Sequence, residues 1–255
     1  MKEILITNDD GYESQGLLAL IDAVKDLGHV TVVAPSTEKS ACGHSLTLNR
    51  PLSFIGVDDD FYKLDDGTPS DCVYLALNSL FELKKPDLLI SGINKGSNMG
   101  EDITYSGTCA GAMEAVLHGV PAIAISQVMD FTQPLGDLIL AKNAIRELVK
   151  KVLDEGFPLG EREFLNVNIP YTTQKLEFAI TYAGYRYYAN DAHLHRNPRG
   201  MEYYWLGLHP LEFKPREGRT GLCDFEAIEA GMVSITPIKV DMSAYKSLKI
   251  LREWL

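Results

Sequence analysis

Ile4-Leu5-Ile6-Thr7-Asn8-Asp9-Asp10-Gly11 (ILITNDDG) is the stretch that decides the fold of this 255-residue chain. Ile4 to Ile6 is an apolar run of the length of a buried strand, and it passes at Asn8 into a loop opened by two adjacent carboxylates. In an open α/β sheet, ligands bind in the crevice outside the carboxyl ends of the strands, which is where Asp9 and Asp10 would stand. Two neighbouring aspartates repel each other and lose hydration there. The next dozen residues bring no Lys or Arg, so a divalent cation is the economical counter-charge, and hard carboxylate oxygens suit Mg2+, Mn2+ or Ca2+. Taken alone, the pair leaves open that one aspartate caps the following helix and the other is solvated.

Working outward, the first half alternates strand and helix. Residues 3–7 predict a strand and residues 14–27 a helix, with Leu17, Leu20, Ile21, Val24 and Leu27 at helical spacing and Gly28 as its stop. Val30 to Ala34 is a second strand. Residues 35–50, rich in Ser and Thr, form a loop long enough to suggest function. Leu52–Val57 and Phe61–Leu64 predict an antiparallel pair around Asp58-Asp59-Asp60, an acidic run that reads as a solvated turn. Pro69 opens a helix to about Leu83; Asp87–Ser91, Pro121–Ser126 and residues 135–155 predict two strands and a long amphipathic helix. This alternation implies an α/β class with a doubly wound, mostly parallel sheet.

Beyond about residue 160 the texture changes. FLNVNIP, LEFAITYAG and MVSITPIKV read as strands, and Tyr185, Tyr187, Tyr188, Tyr203, Tyr204 and Trp205 crowd a β-rich projection, a long hairpin whose exposed aromatics would favour self-association. Residues 243–255 predict a terminal helix. The division expected is residues 1–160 as the α/β core with the site, and 161–255 as the extension, a return strand and an oligomerising C-terminal helix.

The net charge of −11 argues against a nucleic-acid groove, which needs clustered Lys and Arg. No apolar run approaches the roughly eighteen residues of a membrane span, and the N-terminus lacks a signal-peptide pattern. Cys42, Cys72, Cys109 and Cys223 are far apart, which disfavours a zinc site or disulfide framework and fits a reducing cytoplasm. A cytoplasmic protein is the expectation.

The second site segment is SGINKGSNMGEDITYSGT, residues 91–108, which follows a predicted strand and so opens into the same crevice. Ser106-Gly107-Thr108 leads into a small-residue helix over Thr108–His118, whose N-terminal N–H groups can bind phosphate without a cationic side chain. The segment is neither a Walker A loop nor a GxGxxG fingerprint. Ser40 can offer a hydroxyl ligand from the long loop or be an ordinary loop serine, and His44 could bind phosphate, act as an acid or serve structure alone. His193, His195, Arg196 and Arg199 could clamp an anion or simply line a solvated loop.

These motifs together, with VVAP, the Ser40–Leu48 pattern, TPSDCVYLALN, LNVNIP, NPRG with YYW, and VSITP in order along the chain, resemble the SurE family. These are stationary-phase survival proteins that act as metal-dependent 5'-nucleotidases and acid phosphatases. The resemblance implies one divalent metal ion per subunit, Mg2+ or Mn2+ with Ca2+ able to occupy the site, on Asp9, Asp10, Ser40 and Asn94. It places Asn98 with Ser106, Gly107 and Thr108 in the phosphate pocket. The implied fold is a Rossmann-like core with a β-hairpin extension and a C-terminal element exchanged between subunits, in homodimers or homotetramers.

The expected reaction is hydrolysis of nucleoside 5'-monophosphates, with 3'-monophosphates and short polyphosphate as further substrates and no nucleic-acid polymer or membrane as partner. Asp9 is the candidate to orient or deprotonate the attacking water, with a nucleophilic role as the alternative. Three positions depart from the family pattern: Cys109 where an aliphatic residue is expected, Asn197 where Asp is usual, and Leu222-Cys223 in place of Thr before Asp224. Two other readings compete. A haloacid-dehalogenase-type phosphotransferase would need Asp at position 8, where this chain has Asn. A non-catalytic phosphate-sensing module would use the same pocket without turnover.

Overall fold

Strand β1 (Glu3–Thr7) sits in the middle of a ten-stranded sheet, paired in parallel with β2 (His29–Pro35) on one side and, on the other, with the strand beginning at Leu88. The computed structural model describes residues 1–129, 138–171 and 176–255, with the backbone alone at 190, 191 and 208–211. Ile4 and Ile6 point to one face and Leu5 to the other, and all three are fully buried, because helices cover both faces of the sheet.

After β1, helix α1 (Gln15–Val24) starts at Ser14, whose hydroxyl accepts from the Leu17 N–H at 3.2 Å. The predicted helix to Leu27 stops earlier because Lys25 to Gly28 close as a turn. Next come β3 (Phe54–Asp58) and β4 (Phe61–Leu64), an antiparallel pair, as predicted, at one edge of the sheet. The intervening acidic turn is solvent-exposed, although Asp60 also lies 3.0 Å from the Nε2 of His29.

Helix α2 (Pro69–Leu75) is opened by a Thr68–Asp71 capping box. It does not continue regularly to Leu83: residues 76–80 widen into a π turn that sets Phe81 into the core, a local irregularity that apolar periodicity cannot foretell.

Strand β5 (Leu88–Lys95) is four residues longer at its carboxyl end than the predicted Asp87–Ser91. The glycine-rich segment therefore begins inside the sheet. Gly92, at φ 142°, makes this feasible, since a Cβ there would stand 2.4 Å from the Ile125 carbonyl oxygen. A bulge between Ser91 and Asn94 then realigns β5 with β6 (Ala122–Gln127).

Helix α3 (Gly107–Leu117) joins β5 to β6, and α4 (Ile139–Glu155) follows β6. Residues 135–137, predicted to open that helix, lie outside the described residues. The sheet is completed by β7 (Glu163–Ile169) and β8 (Phe178–Tyr182). Strands β9 (Tyr185–Arg196) and β10 (Glu202–Lys214) form a separate long hairpin, the predicted projection. The short β11 (Leu222–Cys223), α5 (Asp224–Glu229), β12 (Val233–Lys239) and α6 (Ser247–Trp254) end the chain.

The sheet order is β11-β8-β12-β7-β6-β5-β1-β2-β4-β3. All described pairings in it are parallel except β12 with β7 and β3 with β4. Helices α1 and α4 pack on the face that carries Ile4 and Ile6, while α2 and α3 pack on the face that carries Leu5. The chain thus leaves β1 towards one face and β5 towards the other. The strands between which such a reversal occurs are the switch point where doubly wound sheets bind ligands. At the hairpin root, the Arg186 N–H donates to Glu101 at 2.6 Å and Arg216 Nη2 to the same carboxylate at 3.0 Å.

Candidate active site

Asp9 and Asp10 follow β1 directly, at the carboxyl edge of the sheet and beside the end of β5. Asp9 is 3% exposed. Its Oδ1 accepts a hydrogen bond from the Thr108 hydroxyl in the first turn of α3, and its backbone carbonyl accepts from Lys39 N–H at 2.7 Å. The Oδ2 of Asp10 accepts the Lys95 N–H at 3.0 Å. The structure therefore brings β1, β5, α3 and the loop after β2 to one point.

Burial pushes the Asp9 carboxyl up to about 6; the charge of Asp10 adds to the shift, and the Thr108 hydrogen bonds oppose it. Asp10 is raised as well, by burial first and also by Glu38, against the opposing Lys95 N–H. Two carboxylates held at rising cost to their charged forms are what a cation-binding site looks like before the cation is considered.

The space beside Asp9 is kept open by Gly107. A Cβ at that position would lie 2.8 Å from the Asp9 Cβ, 2.9 Å from its Oδ2 and 3.0 Å from the Cys42 sulfur. Among the described residues no group of three or more His, Cys, Asp or Glu side chains is placed to hold a metal ion. A cation here would rest on two carboxylates and neutral oxygens, a donor set suited to a hard divalent ion rather than to zinc.

The remaining predicted residues divide by what their side chains do. Asn94 is half-buried at the end of β5, and its Nδ2 donates to the Gly96 carbonyl at 2.9 Å, which leaves the amide oxygen to offer lone pairs. Ser40 is exposed, and its hydroxyl donates to Glu38 at 2.7 Å rather than to either aspartate. Ser106 caps α3, accepting from Cys109 N–H at 3.0 Å. Asn98 is buried in a polar network: its Nδ2 donates to Ser126 at 2.8 Å and its N–H to Asn168 Oδ1 at 2.8 Å. Its carbonyl accepts from Asn166 and Asn168 at 2.8 and 3.0 Å.

Sequence reasoning missed Asn166 and Asn168. Their signal was present, since two asparagines spaced by two in the otherwise apolar LNVNIP strand must share a face and, being fully buried, need partners.

His44 does not stand free over the site; its Nε2 lies 2.6 Å from Glu114. In the hairpin Arg196 pairs with Glu202 at 2.5 Å and His195 stacks on Tyr203, so part of the expected anion clamp is already neutralised. Of the departures from the family pattern, Cys109 is fully buried in the first turn of α3, Asn197 accepts the Arg199 and Met201 N–H groups in the hairpin turn, and the Cys223 N–H is capped by Glu226 at 2.7 Å. The four cysteines are free thiols. Burial holds Cys42 up to about 11 and Cys109 up to about 12, which makes them poor nucleophiles.

Comparison with known proteins identifies the family. Residues 4–190 match the family described as Survival protein SurE. A protein of Sulfurimonas denitrificans named 5'-nucleotidase SurE is 67% identical, over 99% of this chain and 98% of its own. A protein of the same name from Helicobacter hepaticus is 61% identical, over 100% and 99%. The crystal structure of the SurE protein from Aquifex aeolicus superposes with a TM-score of 0.83 at 42% identity, covering 99% of both chains. The chain belongs to the SurE family.

Proposed function

We propose that this chain is a metal-dependent phosphomonoesterase that hydrolyses nucleoside 5'-monophosphates to nucleoside and inorganic phosphate. The observation that carries the reading is the Asp9–Asp10 pair at the β1/β5 switch point, with Asp9 buried against the gap at Gly107 and the N-terminus of α3 and Asp10 half-buried beside the end of β5. The name of the relatives, 5'-nucleotidase SurE, supports the substrate class.

Asp9, Asp10, Asn94 and Ser40 would hold one divalent cation, Mg2+ or Mn2+, which supplies positive charge against the phosphate oxygens when bound. The chain's own groups do the rest. The first turn of α3, at Gly107 and Thr108, directs its N–H groups and positive dipole end at the phosphate. Asn98, fixed by Ser126, Asn166 and Asn168, keeps the loop after β5 in one geometry, so donors need not reorganise as charge shifts. Asp9, in its ionised form, orients the attacking water and accepts its proton.

Residues 1–160 carry the groups that face the cation and phosphate in this reading; residues 161–255 add β7, whose Asn166 and Asn168 fix Asn98, and otherwise serve assembly. Tyr204 and Trp205 on the hairpin, and Leu248, Ile250, Leu251 and Trp254 on α6, are exposed and would be covered in a homodimer or homotetramer with an exchanged C-terminal element. Among the described residues no helix is long and apolar enough to cross a membrane, and the cytoplasm is the proposed location.

The test is phosphate release from AMP with Mg2+, Mn2+ or EDTA, beside a panel that includes 3'-monophosphates and short polyphosphate. Release that requires the ion supports the reading. Nucleotide binding without release under any divalent ion would replace it with a sensor.

A further inference from the structure

The loop between β2 and β3 carries Ser40 and Cys42 and crosses the site without regular structure, so its position depends on tethers. One of these lies outside the set of residues assigned so far. His44 Nε2 is 2.6 Å from Glu114 Oε2, and His118 Nε2 is 3.0 Å from Glu114 Oε1. The Glu114 side chain is only 6% exposed and stands two turns after Gly107 on α3. A buried carboxylate is costly unless its lone pairs are taken, and here one imidazole satisfies each oxygen. His118 belongs to the end of the same helix and can only orient the carboxylate. His44 belongs to the loop and ties it to the helix whose first turn touches Asp9. The neighbouring Gly43 N–H adds a bond to the Tyr105 carbonyl at 2.9 Å.

We propose that His44 and Glu114 are positioning residues: their pairing holds the Ser40–Cys42 segment against the Asp9–Gly107 contact in the geometry that turnover requires. The inference rests on the phosphomonoesterase reading and names a determinant of its rate. A purely structural pair would affect stability alone, whereas a positioning pair acts on kcat and on the order of one loop.

The experiment compares wild type, His44→Leu, His44→Gln and His118→Leu by phosphate release from AMP at saturating Mn2+, together with hydrogen exchange of residues 38–46. Glutamine can present its Nε2 donor close to where histidine does. For His44→Leu a ten- to hundredfold fall in kcat with KM within about threefold is expected. Exchange in the loop should rise at least about tenfold while amides 110–116 in α3 stay protected, which also certifies the fold. His44→Gln should recover most of the rate, and His118→Leu should lose less than about threefold, its loop tether being intact. Wild-type kcat or unchanged loop exchange in His44→Leu, or no recovery in His44→Gln, overturns the inference. A wild-type protein that releases no phosphate overturns the hydrolase reading instead, and the exchange result still judges the tether.

Discussion

The Thr108 hydroxyl donates to Oδ1 of Asp9, joining the loop after the first strand to the first turn of a helix ninety-nine residues later in the chain. That bond makes Asp9 more acidic against the burial that makes it less so. Replacing Thr108 with Val keeps the shape and removes the donor. A hydrogen bond to a charged group is worth about 1.5–3 kcal/mol, so kcat/KM should fall about ten- to a hundredfold. In the metal-free protein the Asp9 carboxyl should titrate at higher pH in the valine variant, because the opposing influence on Asp9 is gone. An unmoved Asp9 titration, followed by NMR in EDTA, would show that the Thr108 hydroxyl does not hold this carboxylate.

In metal-free protein the contribution of Asp9 to stability should fall as the pH rises. Asp9 titrates near its ordinary 3.8 in the unfolded chain and at about 6 in the fold, so the folded state binds the proton more tightly. The associated stability is fully present below pH about 4 and is lost as pH rises through 6, by up to about 3 kcal/mol for a shift of this size. Asp10 is raised in the same direction, so the difference between wild type and Asp9→Asn isolates Asp9. In EDTA, the Tm of wild type relative to Asp9→Asn should drop between pH 4.5 and 7. Added Mn2+ should restore the wild type, and only the wild type, above pH 6. Parallel Tm curves for the two proteins would show that Asp9 carries no raised pKa.

Much of this architecture was legible in the sequence because its causes are local. The run Ile4-Leu5-Ile6 is apolar on both faces because α1 covers one and α2 with α3 the other, and Ser14, Thr68 and Ser106 announce their helices by capping chemistry. Asp9 and Asp10 were legible as a pair because adjacency alone makes them repel. What escaped depended on contacts distant in sequence. The extension of β5 through Asn94 requires the Ile125 carbonyl to pass beside Gly92, and nothing near residue 92 announces it. Whether His44 faced phosphate or held structure stayed open in the sequence because its partner, Glu114, is seventy residues away. The hydroxyl of Ser40 turns to Glu38, two residues off, a choice that spacing does not decide.

Gly107→Ala separates helix propensity from site geometry. Alanine favours a helix over glycine by up to about 1 kcal/mol, so α3 itself should not suffer. The added methyl, however, would meet the Asp9 Cβ at 2.8 Å and Oδ2 at 2.9 Å. The Cβ is the root of its side chain and cannot swing aside, so the end of β1 and the start of α3 must part. Overpacking of this kind costs about 1–3 kcal/mol, and the larger effect should fall on function. Expected are a Mn2+ affinity at least about tenfold weaker by calorimetry and a kcat/KM down at least about a hundredfold. Normal cation affinity in the alanine variant would mean that the gap beside Oδ2 is not where the ion sits.

Asn168 and Asn166 should prove unequal although they share a strand face. Asn168 accepts the Asn98 N–H at 2.8 Å and donates to its carbonyl at 3.0 Å, whereas Asn166 donates to that carbonyl at 2.8 Å and accepts from the Cys109 thiol at 3.5 Å. Leucine at 168 leaves a buried N–H with no acceptor and strips one donor from the carbonyl; leucine at 166 leaves the carbonyl still served by Asn168. An orphaned buried group costs about 1–3 kcal/mol. In urea titrations Asn168→Leu should therefore lose about 2–4 kcal/mol and Asn166→Leu about 1–2. Because Asn98 fixes the loop between β5 and α3, the larger structural loss should also be the larger loss of kcat/KM for AMP. Equal losses in the two variants would mean that the strand face as a whole, rather than the Asn98 N–H, holds that loop, and the rigidity assigned to Asn98 in phosphate binding would have to come from elsewhere.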